Sequence, residues 1–333
     1  MEFSEFLRWK ALVKRERPDV VDLSETRIAR AFADIRPVVE PSPSFKNLHR
    51  CDLARTWCEV RGLPEALTKR TLVCEGVRHA LRFIFRMITV QGSRIAIPRD
   101  VYPVYWQISA DAGAQPLALD TFPDFDLEAL LGVCATEGVR NVLLPSPLKL
   151  HGRRWTVAEA SGAATWLRED PLRRLILDGV YSFGGDLDAA TLALIDTNQV
   201  LYLDSLSKGW LHEKVFGAAI VPAEDQGFYE RSFRESLPRQ DHLYLALEML
   251  STYRDFPKEL KAAIEHGRSK LLRVSEQAGL PMRAVNNGYF MVIEKSANEV
   301  LDKHGLLTIP VAVFGSTVAQ FCVASGLPIS EAS

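Results

Sequence analysis

The chain has 333 residues, 47% apolar and 25% charged, with 40 Lys and Arg against 42 Asp and Glu for a formal charge of −2. That composition excludes a largely disordered protein and supplies no global positive charge to condense on nucleic acid or anionic lipid. At roughly 100–200 residues per domain, the length suits two domains or one large domain with a satellite.

The N-terminal Met1-Glu2-Phe3-Ser4-Glu5 lacks the basic-then-apolar order of a signal peptide. No run approaches the roughly 20 apolar residues that span a bilayer. Cys51, Cys58, Cys74, Cys134 and Cys322 form no Cys-x-x-Cys and read as reduced, mostly buried thiols. A cytoplasmic protein with neither nucleic-acid nor membrane partners is expected.

In chain order, Arg8–Arg17 carries five basic residues around Trp9, Leu12 and Val13 and reads as an amphipathic arm with a solvated face. Thr71-Leu72-Val73 predicts a strand that passes through Cys74 and Glu75 to Gly76. Val77, Ala80, Leu81, Ile84 and Ile88 then fall on one helical face, ending near Gly92. Apolar runs bounded by turn residues follow at Arg94–Pro98, Pro116–Leu119, Asn141–Pro145, Arg174–Asp178, Gln199–Asp204 and Gly217–Pro222. Several lack apolar–polar alternation, as strands buried on both faces do. Helix-like stretches at Leu127–Gly138 and Thr156–Glu169 separate them, which argues for an α/β sheet covered on both sides. Beyond Pro222 the pattern shifts to helices over Asp241–Tyr253 and Pro257–Ala278, then short strands at Tyr289–Glu294 and Gln320–Ala324. The shift marks a boundary near 222–240, and no internal repeat is present.

Several chemistries lose ground. The chain has no Gly-x-Gly-x-x-Gly after a strand, no phosphate-binding Gly-x-x-x-x-Gly-Lys, no His-Glu-x-x-His and no Gly-x-Ser-x-Gly. Its seven histidines are scattered, so no metal site is expected. Ligands of open α/β sheets bind at the carboxyl ends of the strands, and three such ends stand out. Leu175-Ile176-Leu177 runs into Asp178, with Tyr181 three residues on. Leu201-Tyr202-Leu203 runs into Asp204-Ser205-Leu206-Ser207-Lys208-Gly209, with Lys214 and Gly217 beyond. The strand at Thr71 delivers Gly76-Val77-Arg78 at a helix start. Singly, each has an ordinary explanation: a strand-end Asp is often an N-cap, a nearby Tyr is often core, and a lone Ser-Lys means little. Their order on successive strand ends favours a ligand site.

This set resembles the fold-type I pyridoxal-phosphate enzymes of the aspartate aminotransferase class, from about Val21 to Ser325. The resemblance implies a mostly parallel seven-stranded sheet flanked by helices, with a smaller α+β domain. The large cofactor-binding domain would span 46–222, and 1–45 with 223–333 would form the N-terminal arm and small domain. It implies pyridoxal 5'-phosphate as cofactor, with Lys208 forming the Schiff base, Asp178 protonating the pyridine nitrogen and Tyr181 donating to the phenolic oxygen. Gly76, Val77 and Arg78 match the phosphate turn, Ser205 and Ser207 the phosphate-side hydroxyls, and Tyr102 the aromatic that stacks on the ring. His79, next to that turn, reads as polar helix surface, with a cofactor contact as the alternative. Helix-start amides suit a dianionic phosphate, and a buried carboxylate beside a pyridine nitrogen makes the ring an electron sink.

Three positions depart from the family pattern. Lys149, in Pro147-Leu148-Lys149-Leu150-His151-Gly152, stands where the family has an asparagine that bonds the phenolic oxygen. A solvent-facing lysine and a second ammonium beside the ring are equal readings. Lys214 replaces the phosphate arginine, two residues closer to Lys208, and loses the bidentate geometry of a guanidinium. Gln320 falls where the family has the arginine that grips the substrate carboxylate. Arg27 and Arg30 are alternative grips, with surface charge the favoured reading.

The resemblance therefore implies an aminotransferase-like enzyme acting on an amino acid or amine in specialised amino-compound metabolism. The alternatives are a decarboxylase, lyase or other α- or β-carbon enzyme using the same cofactor, and a cofactor-binding relative without turnover. A homodimer is expected, with the active site at the interface and the N-terminal arm plus Pro41–Arg50 reaching across.

Overall fold

A computed structural model describes residues 2–39, 49–101, 104–212, 216–234, 238–283 and 285–328. Among these, seven strands make one sheet: β1 (Thr71–Cys74), β2 (Ile95–Pro98), β3 (Leu117–Leu119), β4 (Asn141–Pro145), β5 (Arg174–Asp178), β6 (Val200–Ser205) and β7 (Gly217–Ile220). Their spatial order is β1-β7-β6-β5-β4-β2-β3. Strand β7 runs against both neighbours, and the other adjacent pairs are parallel.

The apolar runs lack alternation because both faces of the sheet are covered. Successive side chains point to opposite faces: Leu175 and Leu177 enter one core and Ile176 the other, and Leu144 and Leu143 divide the same way. The helix Val77–Val90 covers the second face with Leu81, Ile84, Phe85 and Ile88, all buried. Burying each such side chain contributes about 1.5–3 kcal/mol. The helices Arg50–Val60, Leu127–Thr136, Val157–Arg168 and Ala189–Ile195 cover the first face, with Leu53, Trp57, Leu131 and Leu194 in its core. Thr156 caps the third of these through a reciprocal capping box with Glu159.

Register sets the site. Cys74 lies opposite Gly217, Gly217 opposite Ser205, Asp178 opposite Leu203, and Pro145 opposite Asp178. The carboxyl ends of β1, β4, β5 and β6 thus share one rim.

Past β7 come helices Gln226–Arg234, Gln240–Thr252 and the 22-residue Phe256–Gln277. A three-stranded antiparallel sheet follows, with Cys322–Ser325 between Ile309–Pro310 and Phe290–Ile293. The strand expected over Gln320–Ala324 runs over Cys322–Ser325, starting two residues later because residues 319–320 form a turn ahead of the ladder. Gly267 permits the long helix to touch this sheet's end: a Cβ there would lie 2.1 Å from the Gly326 carbonyl oxygen.

The basic arm is the helix Phe3–Glu16, which buries Phe6 and Val13 and leaves Leu12 exposed. Lys10 and Lys14 reach the buried Asp22 carboxylate at 3.0 and 3.4 Å, so two of its cations are spent on an internal charge. Cys51 is exposed and the other four cysteines are buried and free. Among the described residues no helix is long and apolar enough to cross a membrane.

Candidate active site

The β1 end turns sharply. Gly76 has φ +140°, a conformation that L side chains rarely adopt, and opens the helix Val77–Val90 without a capping side chain. Its carbonyl accepts from the His79 and Ala80 amides, both at 3.1 Å. The first amides of the helix, at Val77 and Arg78, have no acceptor within it. Gly217 makes this turn possible, since a Cβ there would fall 2.5 Å from Gly76 Cα. Ser205 sits opposite Gly217, and its Oγ lies 2.7 Å from Ser207 Oγ. Two hydroxyls and a helix start therefore converge beside one glycine pair, a donor set suited to a phosphate.

Asp178 ends β5 with 6% of its surface exposed. Its Oδ2 accepts from the Tyr105 hydroxyl, and its Oδ1 from the Val180 amide at 3.0 Å. Burial pushes its carboxyl up to about 6, while these hydrogen bonds and the Lys149 charge oppose the rise. Such a group is poised to share a proton with a basic ring nitrogen.

Tyr181, three residues on, is half-buried and lies between two lysines. Lys149 Nζ donates to its hydroxyl at 2.9 Å and lies 4.4 Å from its ring centroid, while Lys208 Nζ lies 6.0 Å from that centroid. Lys208 follows Ser205 and Ser207 on the short helix Leu206–Gly209 and is half-buried. Tyr105, Lys149, Asp178 and Tyr181 line one cleft together with Asp100 and His151.

Three of these residues, Tyr105, Asp100 and His151, and the nearby Arg61 carry no role in the sequence analysis. Tyr105 stands three residues beyond Tyr102 in the sequence, and that aromatic spacing is the signal that could have found it. Asp100 accepts from the Thr121 hydroxyl at 2.5 Å and amide at 3.2 Å, and burial raises its carboxyl. His151 Nε2 lies 2.8 Å from the Thr121 carbonyl, and burial lowers its imidazole. Arg61 is buried beneath the rim: its guanidinium pairs with Asp204 and donates to the carbonyls of Ser182 at 3.1 Å and Gly184 at 3.0 Å. One side chain thus ties the segment after Tyr181 to the residue before Ser205, with no local signal in the sequence.

Tyr102, Lys214 and residues 41–48 lie outside the described residues. Gln320 is exposed on its turn, and Arg27 is 64% exposed beside Glu25 at 3.7 Å. Arg30 is half-buried on the short helix Ile28–Ala31.

No family model and no curated protein sequence matches the chain. Solved structures do. A double mutant of the Thermus thermophilus aspartate aminotransferase superposes with a TM-score of 0.74 at 19% identity, covering 99% of this chain and 93% of that one. The Thermotoga maritima aspartate aminotransferase gives 0.73 at 15% identity, over 99% and 93%. A Corynebacterium diphtheriae protein described as a PLP-dependent beta-cystathionase gives 0.69 at 15% identity, over 92% and 84%. The chain and these proteins share one fold, fold type I, with its mostly parallel seven-stranded sheet flanked by helices.

Proposed function

We propose that this chain, which has the fold of the aspartate aminotransferases, is a pyridoxal-phosphate-dependent enzyme that transfers amino groups from an amino acid or amine. The observation that carries the reading is the convergence of buried Asp178 with half-buried Tyr181 and Lys208 on one rim, beside the Gly76–Gly217 turn. The residues present fit the cofactor: they offer a carboxyl for a ring nitrogen, donors for a phenolic oxygen, hydroxyls and amides for a phosphate, and an amine for its aldehyde. When bound, pyridoxal phosphate supplies an electron sink for the substrate's α-carbon.

In this reading Asp178, oriented by Tyr105, holds a proton at the ring nitrogen. Ser205, Ser207 and the amides of Gly76, Val77 and Arg78 hold the phosphate, with Lys214 adding charge. Tyr181 and Lys149 hold the phenolic oxygen, and Tyr102 covers the ring. Lys208 anchors the cofactor through Nζ, and the same amine, once free, moves the substrate's α-proton as base and acid. The reading assigns cofactor binding to 46–222 and the arm and smaller domain to 1–45 with 223–333. It also makes the functional unit a homodimer.

A second reading keeps the cofactor and changes the bond that breaks. The likeness to a protein described as a beta-cystathionase favours it, since one fold hosts several chemistries. The test is to add pyridoxal phosphate to the chain, reduce one portion with borohydride and locate the modified lysine by mass spectrometry, and offer a separate, unreduced portion a panel of amines and amino acids. Modification of Lys208, with keto or aldehyde product and the cofactor left in its amino form, is expected. Release of carbon dioxide or ammonia instead establishes the second reading. Absence of any modified lysine overturns both.

A further inference from the structure

Lys149 is more than a solvent-facing cation. Its backbone is fixed by the tight turn in which the Leu148 amide donates to the Arg153 carbonyl at 2.9 Å and Gly152 to Lys149 at 3.2 Å. Its Nζ lies 4.4, 5.0 and 5.9 Å from the ring centroids of Tyr181, Phe290 and Phe314. Aromatic faces attract a cation and exclude the water that would screen it. An ammonium has three hydrogens and no acceptor, so in the 2.9 Å contact the Tyr181 oxygen accepts. The tyrosine's own hydrogen is then left for a second acceptor. Lysine and tyrosine thus make a two-donor edge carrying one full positive charge, where a neutral amide would carry none.

We propose that Lys149 is a positioning and charge-setting residue for the anionic oxygen that Tyr181 binds, keeping that oxygen ionised to lower pH than tyrosine alone would. The proposal rests on the reading above, in which the oxygen is the phenolic oxygen of pyridoxal phosphate. Other titratable groups face the same edge: Asp178 and Tyr105 at the ring-nitrogen side, Lys208 across the Tyr181 ring, and Tyr289, whose ring centroid is 6.2 Å from that of Tyr181. Asp100 and His151 line the same cleft. All of these remain in a Lys149 variant, so a difference between variants reports the lysine.

The experiment is a spectrophotometric pH titration of the cofactor-loaded protein, without substrate, for wild type, Lys149→Asn, Lys149→Arg and Tyr181→Phe. Lys149→Asn should raise the midpoint of the cofactor's absorbance change by about one pH unit or more, about tenfold in the proton equilibrium. Lys149→Arg, which keeps the charge, should stay close to wild type. In a Tyr181→Phe background the asparagine substitution should shift the midpoint less, because the pair acts jointly. An unchanged midpoint in Lys149→Asn overturns the proposal, as does an equal shift in asparagine and arginine variants, which would mean shape and not charge is sensed. Wild type that takes up no cofactor defeats the underlying reading instead, so the two failures are distinct.

Discussion

Arg61 and Asp204 form an ion pair with 1% and 0% of their side chains exposed, immediately ahead of the Ser205–Lys208 turn. The guanidinium also lies 5.4 Å from the Trp210 ring centroid. Desolvation holds the Asp204 carboxyl above its ordinary range even with Arg61 beside it. Removing one partner of a buried pair strands the other charge, at a cost of about 3–5 kcal/mol. Arg61→Met and Asp204→Asn should each lower unfolding free energy by that order in urea denaturation. The double variant Arg61→Met with Asp204→Leu should recover part of the loss. Single variants within about 0.5 kcal/mol of wild type, as surface substitutions are, would show the pair carries no weight.

Asp178 gives a pH dependence with a definite sign. Its carboxyl titrates near 6 in the folded, cofactor-free chain and near 3.9 in the unfolded one. Between those values the folded chain holds a proton that the unfolded chain has lost. The contribution is complete below about pH 4 and is lost as the pH rises through 6, up to about 3 kcal/mol. Cofactor-free wild type should therefore lose stability relative to Asp178→Asn between pH 4 and pH 8. With cofactor, the asparagine variant should bind it yet lose most turnover. Parallel stability curves, or undiminished turnover, would show that Asp178 is not the proton-holding group.

The resemblance puts Gln320 where relatives carry a carboxylate-gripping arginine, and the proposed function carries that into an expected substrate preference. An exposed neutral amide cannot make the two charge-assisted bonds of an arginine with a carboxylate. Losing such a contact costs a few kcal/mol, about a hundredfold or more in binding. L-Aspartate and L-glutamate should be poor substrates. Arg27→Ala should change little, because that side chain is already paired with Glu25 in solvent. Efficient turnover of ordinary dicarboxylic amino acids by wild type would contradict this.

The assembly is expected to be a closed two-fold dimer, the commonest soluble arrangement. Sedimentation equilibrium at assay concentrations should give twice the chain mass, and dilution into monomer should abolish activity. A fully active monomer would refute the interfacial active site.

Local order was legible in the residues themselves. The doubly buried strands, the helix opened by Gly76, and Asp178 and Lys208 at strand ends follow from side-chain alternation, helical spacing and turn chemistry, all of which act over a few residues. The mostly parallel seven-stranded sheet is implied by a resemblance carried by those same motifs, while its strand order is not. Tertiary structure alone decided which side chains meet. Tyr105 reaches Asp178 across 73 residues, Arg61 reaches Asp204 across 143, and Lys149 reaches Tyr181 across 32. None of these pairs has a local signature, because a hydrogen bond between distant residues exists only once the strand order has placed their segments side by side. The expected strand at Gln320 slid for a related reason: its residues are apolar enough for a ladder, but pairing with Phe290–Ile293 begins at Cys322. Burial, which sets the Asp178 proton and the Arg61–Asp204 pair, is likewise a property of packed layers and not of any stretch of chain.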